Sequence, residues 1–270
     1  MRLGICTIQR NRGKWLKEWV AFHHVVGITH FYIYLHKCTD NSKAIVADLQ
    51  KSFNIQCFEV SEDTERPQLV AYEHAYQAFG HEVDWMAFID GDEFLYPSTG
   101  NTLTDVLQEF HYQKISALGV YWQCFGSSGH ITDPDGLVIE DYTHRASLDF
   151  LPNRHIKSLV KGGQGSHCSN AGNAHLFNTI YGTVDELMRP IHKGLMDELR
   201  PSYEKIRINH YAVQSYDFFI NFKKNSGAAD AGSAVIREEA WWNNYDRNEE
   251  VDTTILRFQT AVKGILSGLI

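Results

Sequence analysis

Three acidic side chains lie within four positions at the end of an apolar segment, in the stretch WMAFIDGDEFLYP at residues 85–97. Asp90, Asp92 and Glu93 repel one another at this spacing, so solvent, basic neighbours or a bound cation must offset their charge. In an extended chain, residues i and i+2 point the same way, and Gly91 lets a ligand approach the backbone closely. Asp90 and Asp92 therefore form a pair of hard oxygen ligands that suits Mg²⁺ or Mn²⁺ together with substrate phosphates. An acidic turn capping the next helix is the alternative.

The elements that must position these acids are predicted from the alternation of apolar and amphipathic segments. Strands are predicted for the short apolar segments at residues 3–8, 30–36, 55–60 and 85–89, and helices for the segments at 14–27, 38–53 and 67–80. This order predicts an α/β domain with a mostly parallel sheet. Ligands of such sheets bind beyond the carboxyl ends of the strands, which is where Asp90 and Asp92 stand.

Composition excludes several classes of function. The chain has 270 residues, 43% of them hydrophobic, and a net charge of -8 without a basic run, which argues against nucleic acid as a partner. An anionic substrate would need a local counter-charge. The five cysteines are widely spaced, which argues against a disulfide scaffold or a structural zinc site. Because no signal peptide and no membrane-spanning segment are recognised, the expected location is the cytoplasm or the soluble side of a membrane.

Six motifs resemble, in order, those of glycosyltransferases of the family 92 and family 2-like type, whose fold is called GT-A. They are NRGKWLKEWVAFHHVVGITHFYIY, KCTDNS, WMAFIDGDEFLYP, YWQCFGSSGH, HIKSLVK and INHYAVQSYDFFINFKKNSG. The chain departs from the usual pattern at Lys37, Thr39 and Gln214. The resemblance implies a nucleotide-binding half at about residues 1–100 and an acceptor-binding half at about 101–214. These form one catalytic domain, and a helical segment at 215–270 is expected to pack on it.

The resemblance also implies roles for particular residues. Asp90, Asp92 and His210 would bind Mn²⁺ or Mg²⁺, and the imidazole favours Mn²⁺. His210 follows the short apolar stretch KIRIN, so it too should stand at a strand end. The expected donor-binding residues are Thr7, Arg10, Asn11, Asp40, Arg66, Gln68, Asp90 and Gly91. Asp40 has an alternative role as a cap of the helix that begins near Asn41.

The acceptor side is expected at the fourth motif. Trp122 and Phe125 would form an aromatic platform for a sugar ring, and Gly126, Ser127 and Ser128 a loop close to it. A turn buried for packing alone is the alternative. The catalytic base is sought among six acids, of which Asp133 is preferred because it follows this loop; the others are Asp135, Glu140, Asp141, Asp185 and Glu186.

Together these features predict a metal-dependent glycosyltransferase that moves a sugar from a UDP- or GDP-sugar to a glycan hydroxyl, with inversion implied by the resemblance. A nucleotidyltransferase on a similar scaffold and a non-catalytic glycan-binding module are the alternatives. Trp241 and Trp242 are adjacent in a segment near the C-terminus that is expected to be helical, and adjacent residues of a helix point about 100° apart. One of them is expected to pack on the core and the other to lie over the donor cleft or at a subunit contact; the alternative is that both are core residues.

Overall fold

The computed structural model describes residues 1–162, 173–227 and 236–269 with their side chains, and residues 168–170 by their backbone. The helices are α1 (Gly13–Val25), α2 (Ser42–Leu49), α3 (Pro67–Phe79), α4 (Leu103–His111), α5 (Val138–Asp141), α6 (Tyr216–Phe218), α7 (Glu239–Tyr245) and α8 (Gln259–Ser267). Short 3₁₀ turns lie at Gly80–Glu82, Leu151–Arg154 and Thr254–Phe258, and a π-helix at Phe219–Lys223.

Fourteen strands are described. They are β1 (Leu3–Gln9), β2 (His30–His36), β3 (Ile55–Val60), β4 (Trp85–Phe88), β5 (Glu93–Pro97), β6 (Ala117–Cys124), β7 (His144–Arg145), β8 (Ile156–Lys161), β9 (Cys168–Asn170), β10 (Phe177–Thr179), β11 (Thr183–Val184), β12 (Pro190–Ile191), β13 (Ile206–His210) and β14 (Glu250–Val251). The predicted alternation of four strands and three helices in the N-terminal part of the chain is confirmed.

Ten of the strands form one mixed, mostly parallel sheet. Along its main path the order is β12-β11-β6-β8-β4-β1-β2-β3; β13 joins this path by pairing with β6, and β5 pairs with β13. Strands β1 to β4 run parallel, as expected. Strand β8 is antiparallel to both of its neighbours, β4 and β6. Its first residues therefore lie beside the carboxyl ends of β4 and β6, and β13, parallel to β6, ends at the same edge.

Helix α1 covers one face of the sheet through aromatic residues at helical spacing. Trp19 and Phe22 are fully buried, and the indole N–H of Trp19 donates to the Glu93 carbonyl oxygen at 2.9 Å. The C-terminal residues Phe258 and Val262 belong to the same hydrophobic core. Burying an apolar side chain of this size contributes about 1.5–3 kcal/mol, so α1 and the C-terminal segment both fix the strand that follows Asp90. Of the helices described, none is both long and apolar enough to span a membrane.

Candidate functional site

A cleft of about 940 Å³ lies over the carboxyl ends of β1, β2, β4, β6 and β13. Its lining comes from four regions: the loop after β1, the segment 62–68 before and at the start of α3, the Asp90–Asp92 turn, and the C-terminal segment 218–245. Trp122, Lys157, His175 and His210 line its floor on the β6 side. Residues from both predicted halves and from the C-terminal segment therefore meet at this edge of the sheet.

The cleft carries the local positive charge that an anionic ligand would need. Seven basic side chains line it, against five acidic ones, although the whole chain has a net charge of -8. The basic residues are Arg10, Arg12, Lys37, Arg66, Lys157, Lys223 and Arg237. The acidic ones are Glu62, Asp63, Glu65, Asp90 and Asp92. Clefts lined by one sign of charge concentrate ligands of the opposite sign, so this composition favours an anion such as a diphosphate.

Three side chains donate hydrogen bonds to Asp90. One carboxylate oxygen accepts hydrogen bonds from the Gln68 side-chain amide and from the Tyr72 hydroxyl, and the other accepts from Lys157 Nζ at 2.9 Å. Burial alone would raise the pKa of Asp90, but the Lys157 ammonium more than offsets this and leaves the pKa below its usual value. Oδ1 accepts two of these hydrogen bonds and Oδ2 the third; because a carboxylate oxygen has two lone pairs, Oδ2 can still bind a cation in the cleft.

Asp92 faces a different pair of groups. Its Oδ2 accepts a hydrogen bond from Lys223 Nζ at 2.6 Å, and its Oδ1 lies 3.9 Å from His210 Nε2. Burial would raise the pKa of Asp92, but the Lys223 ammonium outweighs it and holds the pKa well below its usual range. Burial also lowers the pKa of His210 to about 4, so the imidazole is neutral at physiological pH. The ring of His210 packs on Trp122 with centroids 4.0 Å apart.

The third acid of the opening motif points into the protein rather than into the cleft. Glu93 is fully buried, and its carboxylate accepts a hydrogen bond from the Asp90 backbone N–H at 2.8 Å. Its other oxygen lies 3.8 Å from Lys157 Nζ. Burial raises the pKa of Glu93 well above its usual value, and Asp90 and Asp92 add to this shift. Glu93 and Lys157 thus form the buried support on which the Asp90–Asp92 turn rests.

Arg12, in the loop after β1, lines the cleft. Its guanidinium donates to the Gly91 carbonyl oxygen at 3.0 Å and to Gln214 Oε1 at 2.8 Å, both neutral acceptors. It packs against the rings of Trp15 and Phe218 at 4.6 and 5.1 Å. Within the described part of the chain its buried Nε has no hydrogen-bond partner. Such a buried cation is suited to an incoming anion.

The predicted donor residues divide into two groups. Arg10, Asn11, Arg66, Gln68, Asp90 and Gly91 line the cleft. Asp40 does not: it accepts hydrogen bonds from the backbone N–H groups of Gly13, at 2.9 Å, and Ser42, at 3.0 Å, which is the capping role named as its alternative. Thr7 is fully buried, and its hydroxyl accepts a hydrogen bond from the side-chain amide of Gln9 at 2.9 Å, so it positions Gln9. Gln9 in turn lies under Gly91, where an added Cβ would come within 2.1 Å of its Oε1.

The predicted acceptor platform needs correction at most of its positions. Trp122 lines the cleft, but Phe125 is fully buried and packs on Tyr211 with ring centroids 4.9 Å apart, so it cannot stack on a sugar. The backbone N–H groups of Ser127 and Ser128 donate to the side chains of Asp246 and Asn248. A Cβ at Gly126 would meet the Arg247 carbonyl oxygen at 2.3 Å. Gly126, Ser127 and Ser128 therefore anchor the C-terminal segment instead of lining the cleft.

The six acids considered as the base all lie away from the cleft lining. Asp133, the preferred candidate, accepts a hydrogen bond from the Ser215 hydroxyl and has Lys14 Nζ at 3.9 Å, so its carboxylate is engaged. The imidazole of His175, in contrast, does line the cleft. Its Nδ1 bonds to the Ile156 carbonyl oxygen at 2.9 Å, which assigns the proton to Nδ1 and leaves Nε2 as an acceptor.

The two adjacent tryptophans take different positions. Trp242 is buried in a cluster with Val213 and Phe219. Trp241 is half-buried and lines the cleft, and its ring stacks on that of Tyr245 at 4.6 Å. Trp241 is therefore the residue that can respond to a ligand in the cleft.

Two side chains of the cleft lie close enough together to share a divalent metal. Adjacent ligands of an octahedral Mg²⁺ at about 2.1 Å lie about 3.0 Å apart and opposite ligands about 4.2 Å apart, so Asp92 Oδ1 and His210 Nε2, 3.9 Å apart, would need only a small side-chain movement to bind one ion. Asp90, whose oxygens accept hydrogen bonds from Gln68, Tyr72 and Lys157, stays a predicted ligand. In the described part of the chain no three His, Cys, Asp or Glu side chains converge on a metal position. The site therefore fits a metal held by two protein ligands, with phosphate and water oxygens supplying the rest.

This arrangement, a mostly parallel sheet with paired acids and a cleft of net positive charge over its strand ends, defines an α/β protein with a candidate site for an anionic ligand at the edge of its sheet. The model of glycosyltransferase family 92 matches residues 2–251, and the chain belongs to that family. Family membership and the observed sheet agree with the GT-A type of α/β fold expected from the sequence.

Similarity to individual proteins is consistent with this family. A family 92 protein of Ricinus communis is 31% identical over 221 residues, which cover 80% of this chain and 36% of that protein. One of Oryza sativa subsp. japonica is 27% identical over 218 residues, covering 80% and 34%. The chain thus spans about a third of the length of the curated relatives it matches. Among solved structures, S. aureus TarS 1-349 in complex with UDP is 15% identical, with a TM-score of 0.36 over 60% of this chain and 47% of that one.

Proposed function

We propose that this chain transfers a sugar from a nucleoside-diphosphate sugar to a hydroxyl group of a glycan. The observation that carries the proposal is the positively lined cleft over the Asp90–Asp92 turn in a chain of glycosyltransferase family 92. The nucleotide would enter between the loop after β1 and the N-terminus of α3, where Arg10 and Arg66 line the cleft. A helix N-terminus favours anions, and α3 begins at Pro67, a residue type that is common at the first position of a helix.

The diphosphate would lie against Arg12 and the Asp90–Asp92 turn. A divalent cation, Mn²⁺ or Mg²⁺, would be held by Asp92 and His210 and would neutralise charge on the departing diphosphate. Arg12 is positioned by the Gly91 carbonyl oxygen, so a change in the turn also moves the guanidinium. Interactions of this kind stabilise charge that develops in the transition state.

The donor sugar would occupy the floor between Asp90 and the β6 side. Trp122, Lys157 and His175 line this part of the cleft. Lys157 orients Asp90 through its 2.9 Å hydrogen bond, and His175 presents an unprotonated Nε2 to a sugar hydroxyl. Inversion at the anomeric carbon is the stereochemistry that the family resemblance favours. It would be read from the anomeric proton of the product.

Thermal shift with UDP and with GDP, each with and without Mn²⁺, tests the proposal against its alternatives. A glycosyltransferase should be stabilised by one diphosphate together with Mn²⁺ more than by either alone. Stabilisation by a nucleoside triphosphate instead would favour the nucleotidyltransferase. Stabilisation by glycans alone, with no response to any nucleotide, would favour the binding module and overturn the proposal.

A further inference from the structure

Two lysines neutralise the paired acids, and they differ in how firmly they are placed. Lys157 comes from the sheet itself, in β8, and its side chain is 1% exposed. Lys223 is the last residue of the π-helix Phe219–Lys223, and its side chain is 19% exposed at the cleft. Single turns of π-helix occur often at functional sites. The Lys157 ammonium therefore lies inside the protein, whereas the Lys223 ammonium reaches the cleft surface.

The segment that carries Lys223 is fixed by its backbone rather than by the ammonium. Arg237 donates to the carbonyl oxygens of Lys223, at 3.0 Å, and Gly227, at 2.9 Å. Arg10 donates to the Ser226 carbonyl oxygen at 3.0 Å. These bonds hold the segment without the Lys223 side chain, so the ammonium can change partner while the backbone stays in place.

The position of that ammonium coincides with the position of the expected metal. Lys223 Nζ lies 2.6 Å from Asp92 Oδ2, and His210 Nε2 lies 3.9 Å from the other oxygen of the same carboxylate. A divalent cation bound to Asp92 and His210 would repel an ammonium this close. The two cations therefore compete for Asp92, and an ammonium released from it has a diphosphate as the nearest anion of the loaded cleft.

We propose that Lys223 is the counter-ion of Asp92 in the donor-free protein, and that a divalent cation displaces its ammonium, which then binds the terminal phosphate of the nucleoside diphosphate. The phosphate half of this proposal rests on the proposed function, whereas the displacement half does not. A lysine that serves only to stabilise the fold would show neither behaviour.

Calorimetry of Mn²⁺ binding to the donor-free protein tests the displacement of Lys223. Lys223→Gln removes the competitor and should bind Mn²⁺ about tenfold more tightly than the wild type, the change expected for one charge-assisted hydrogen bond. Lys223→Arg, which keeps the cation, and Lys224→Gln, which removes the neighbouring charge, should stay within about twofold of the wild type. If Lys223→Gln fails to fold, Lys223→Met, which keeps the apolar stem, takes its place. Unchanged or weaker Mn²⁺ binding would overturn the proposal.

Nucleotide binding in saturating Mn²⁺ tests the phosphate contact. Lys223→Gln should bind UDP about tenfold more weakly than the wild type but UMP equally well, because UMP lacks the terminal phosphate. GDP and GMP form the same comparison if the cleft prefers guanine. Equal losses for the diphosphate and the monophosphate would overturn the phosphate contact. Failure of the wild type to bind any of the four would overturn both this contact and the proposed function, while the Mn²⁺ measurement still decides the displacement.

Discussion

Lys157 Nζ lies 2.9 Å from Asp90 Oδ2 and 3.8 Å from Glu93 Oε1, so one buried ammonium serves two of the three clustered acids. The antiparallel strand β8 places it there, between the ends of β4 and β6. The charge of the acidic cluster is therefore offset in part from inside the fold. The remaining acid, Asp92, faces Lys223 and His210 at the cleft.

Replacing Lys157 should destabilise the protein strongly. Lys157→Met removes the cation from the buried Glu93 and from the partly exposed Asp90, and breaking a buried ion pair costs about 3–5 kcal/mol of unfolding free energy. Without the ammonium, the pKa values of Asp90 and Glu93 in the folded state lie above their unfolded values. Folding then takes up protons, and the stability deficit should shrink as the pH is lowered from 8 towards 5.

Urea denaturation at pH 8 and pH 5 measures this effect. Lys161→Met, at the far end of the same strand, is the matched control, because its ammonium donates to the Gln113 carbonyl oxygen at an exposed position. The control should cost less than about 1 kcal/mol. A deficit that is equally small in both variants would contradict the supporting role of Lys157.

Asp92 should be required for turnover but not for folding. Asp92→Asn removes a charge that faces Lys223 and His210 at the cleft, and loss of one such electrostatic contact typically lowers turnover by about 100- to 1,000-fold. Thermal unfolding should change little, because the pair lies at the cleft surface. Asp135→Asn, a change of the same kind at an exposed position outside the cleft lining, should keep wild-type activity. Near wild-type turnover of Asp92→Asn would remove Asp92 from the site.

Glu18 should make stability depend on pH near neutrality. Burial raises its pKa to about 7, although its carboxylate accepts backbone N–H groups from Val138 at 2.8 Å and Ile139 at 3.1 Å. Since the folded pKa lies above the usual glutamate pKa of 4.5, the contribution to stability is fully present below pH 4.5 and is lost as the pH rises to 7. The wild type should lose about 2–3 kcal/mol across this window relative to Glu18→Gln.

Chemical denaturation of the wild type and of Glu18→Gln at several pH values between 4.5 and 7.5 measures the difference in their unfolding free energies. The contributions of the other titrating groups cancel in this difference. The exposed substitution Glu204→Gln should leave the pH dependence of the wild type unchanged. Parallel stability curves for the wild type and Glu18→Gln would show that Glu18 titrates normally.

Tryptophan fluorescence should report ligand binding through Trp241. This half-buried ring lines the cleft, whereas Trp242 is buried beside Phe219. We expect a change when UDP or GDP is added together with Mn²⁺, and much less with either alone. Trp241→Phe should remove most of the change, and Trp242→Phe should keep it. The opposite pattern would place the ligand-responsive surface elsewhere.

The N-terminal fold was predictable because its signals are local. Four apolar strands alternate with helices, and each strand end is marked by polar residues such as Gln9 and Asp90. The insertion of β8 between β4 and β6 was not predictable, since it depends on pairing between distant segments. For the same reason Lys157, although within a recognised motif, could not be identified as the partner of Asp90.

Site residues were predicted best where they follow a strand directly. Asp92 and His210 do so, and the structure brings them together at 3.9 Å; whether they bind metal stays a prediction. Phe125 and Asp133 were misjudged because sequence gives no measure of burial or of a partner such as Ser215. Sequence alone does not show that Arg12 is buried, because its burial depends on the aromatic rings and neutral oxygens around it.

The central claim is that the cleft binds and cleaves a nucleoside-diphosphate sugar. To test this claim, the protein is incubated with Mn²⁺ and a panel of UDP- and GDP-sugars, with and without glycan acceptors. The measured quantity is the release of free UDP or GDP. The wild type should release nucleotide from one of the donors, and faster when an acceptor is present. The rate of release by Asp92→Asn should be lower by about 100-fold or more. No release from any donor, or equal release by both proteins, would contradict the account.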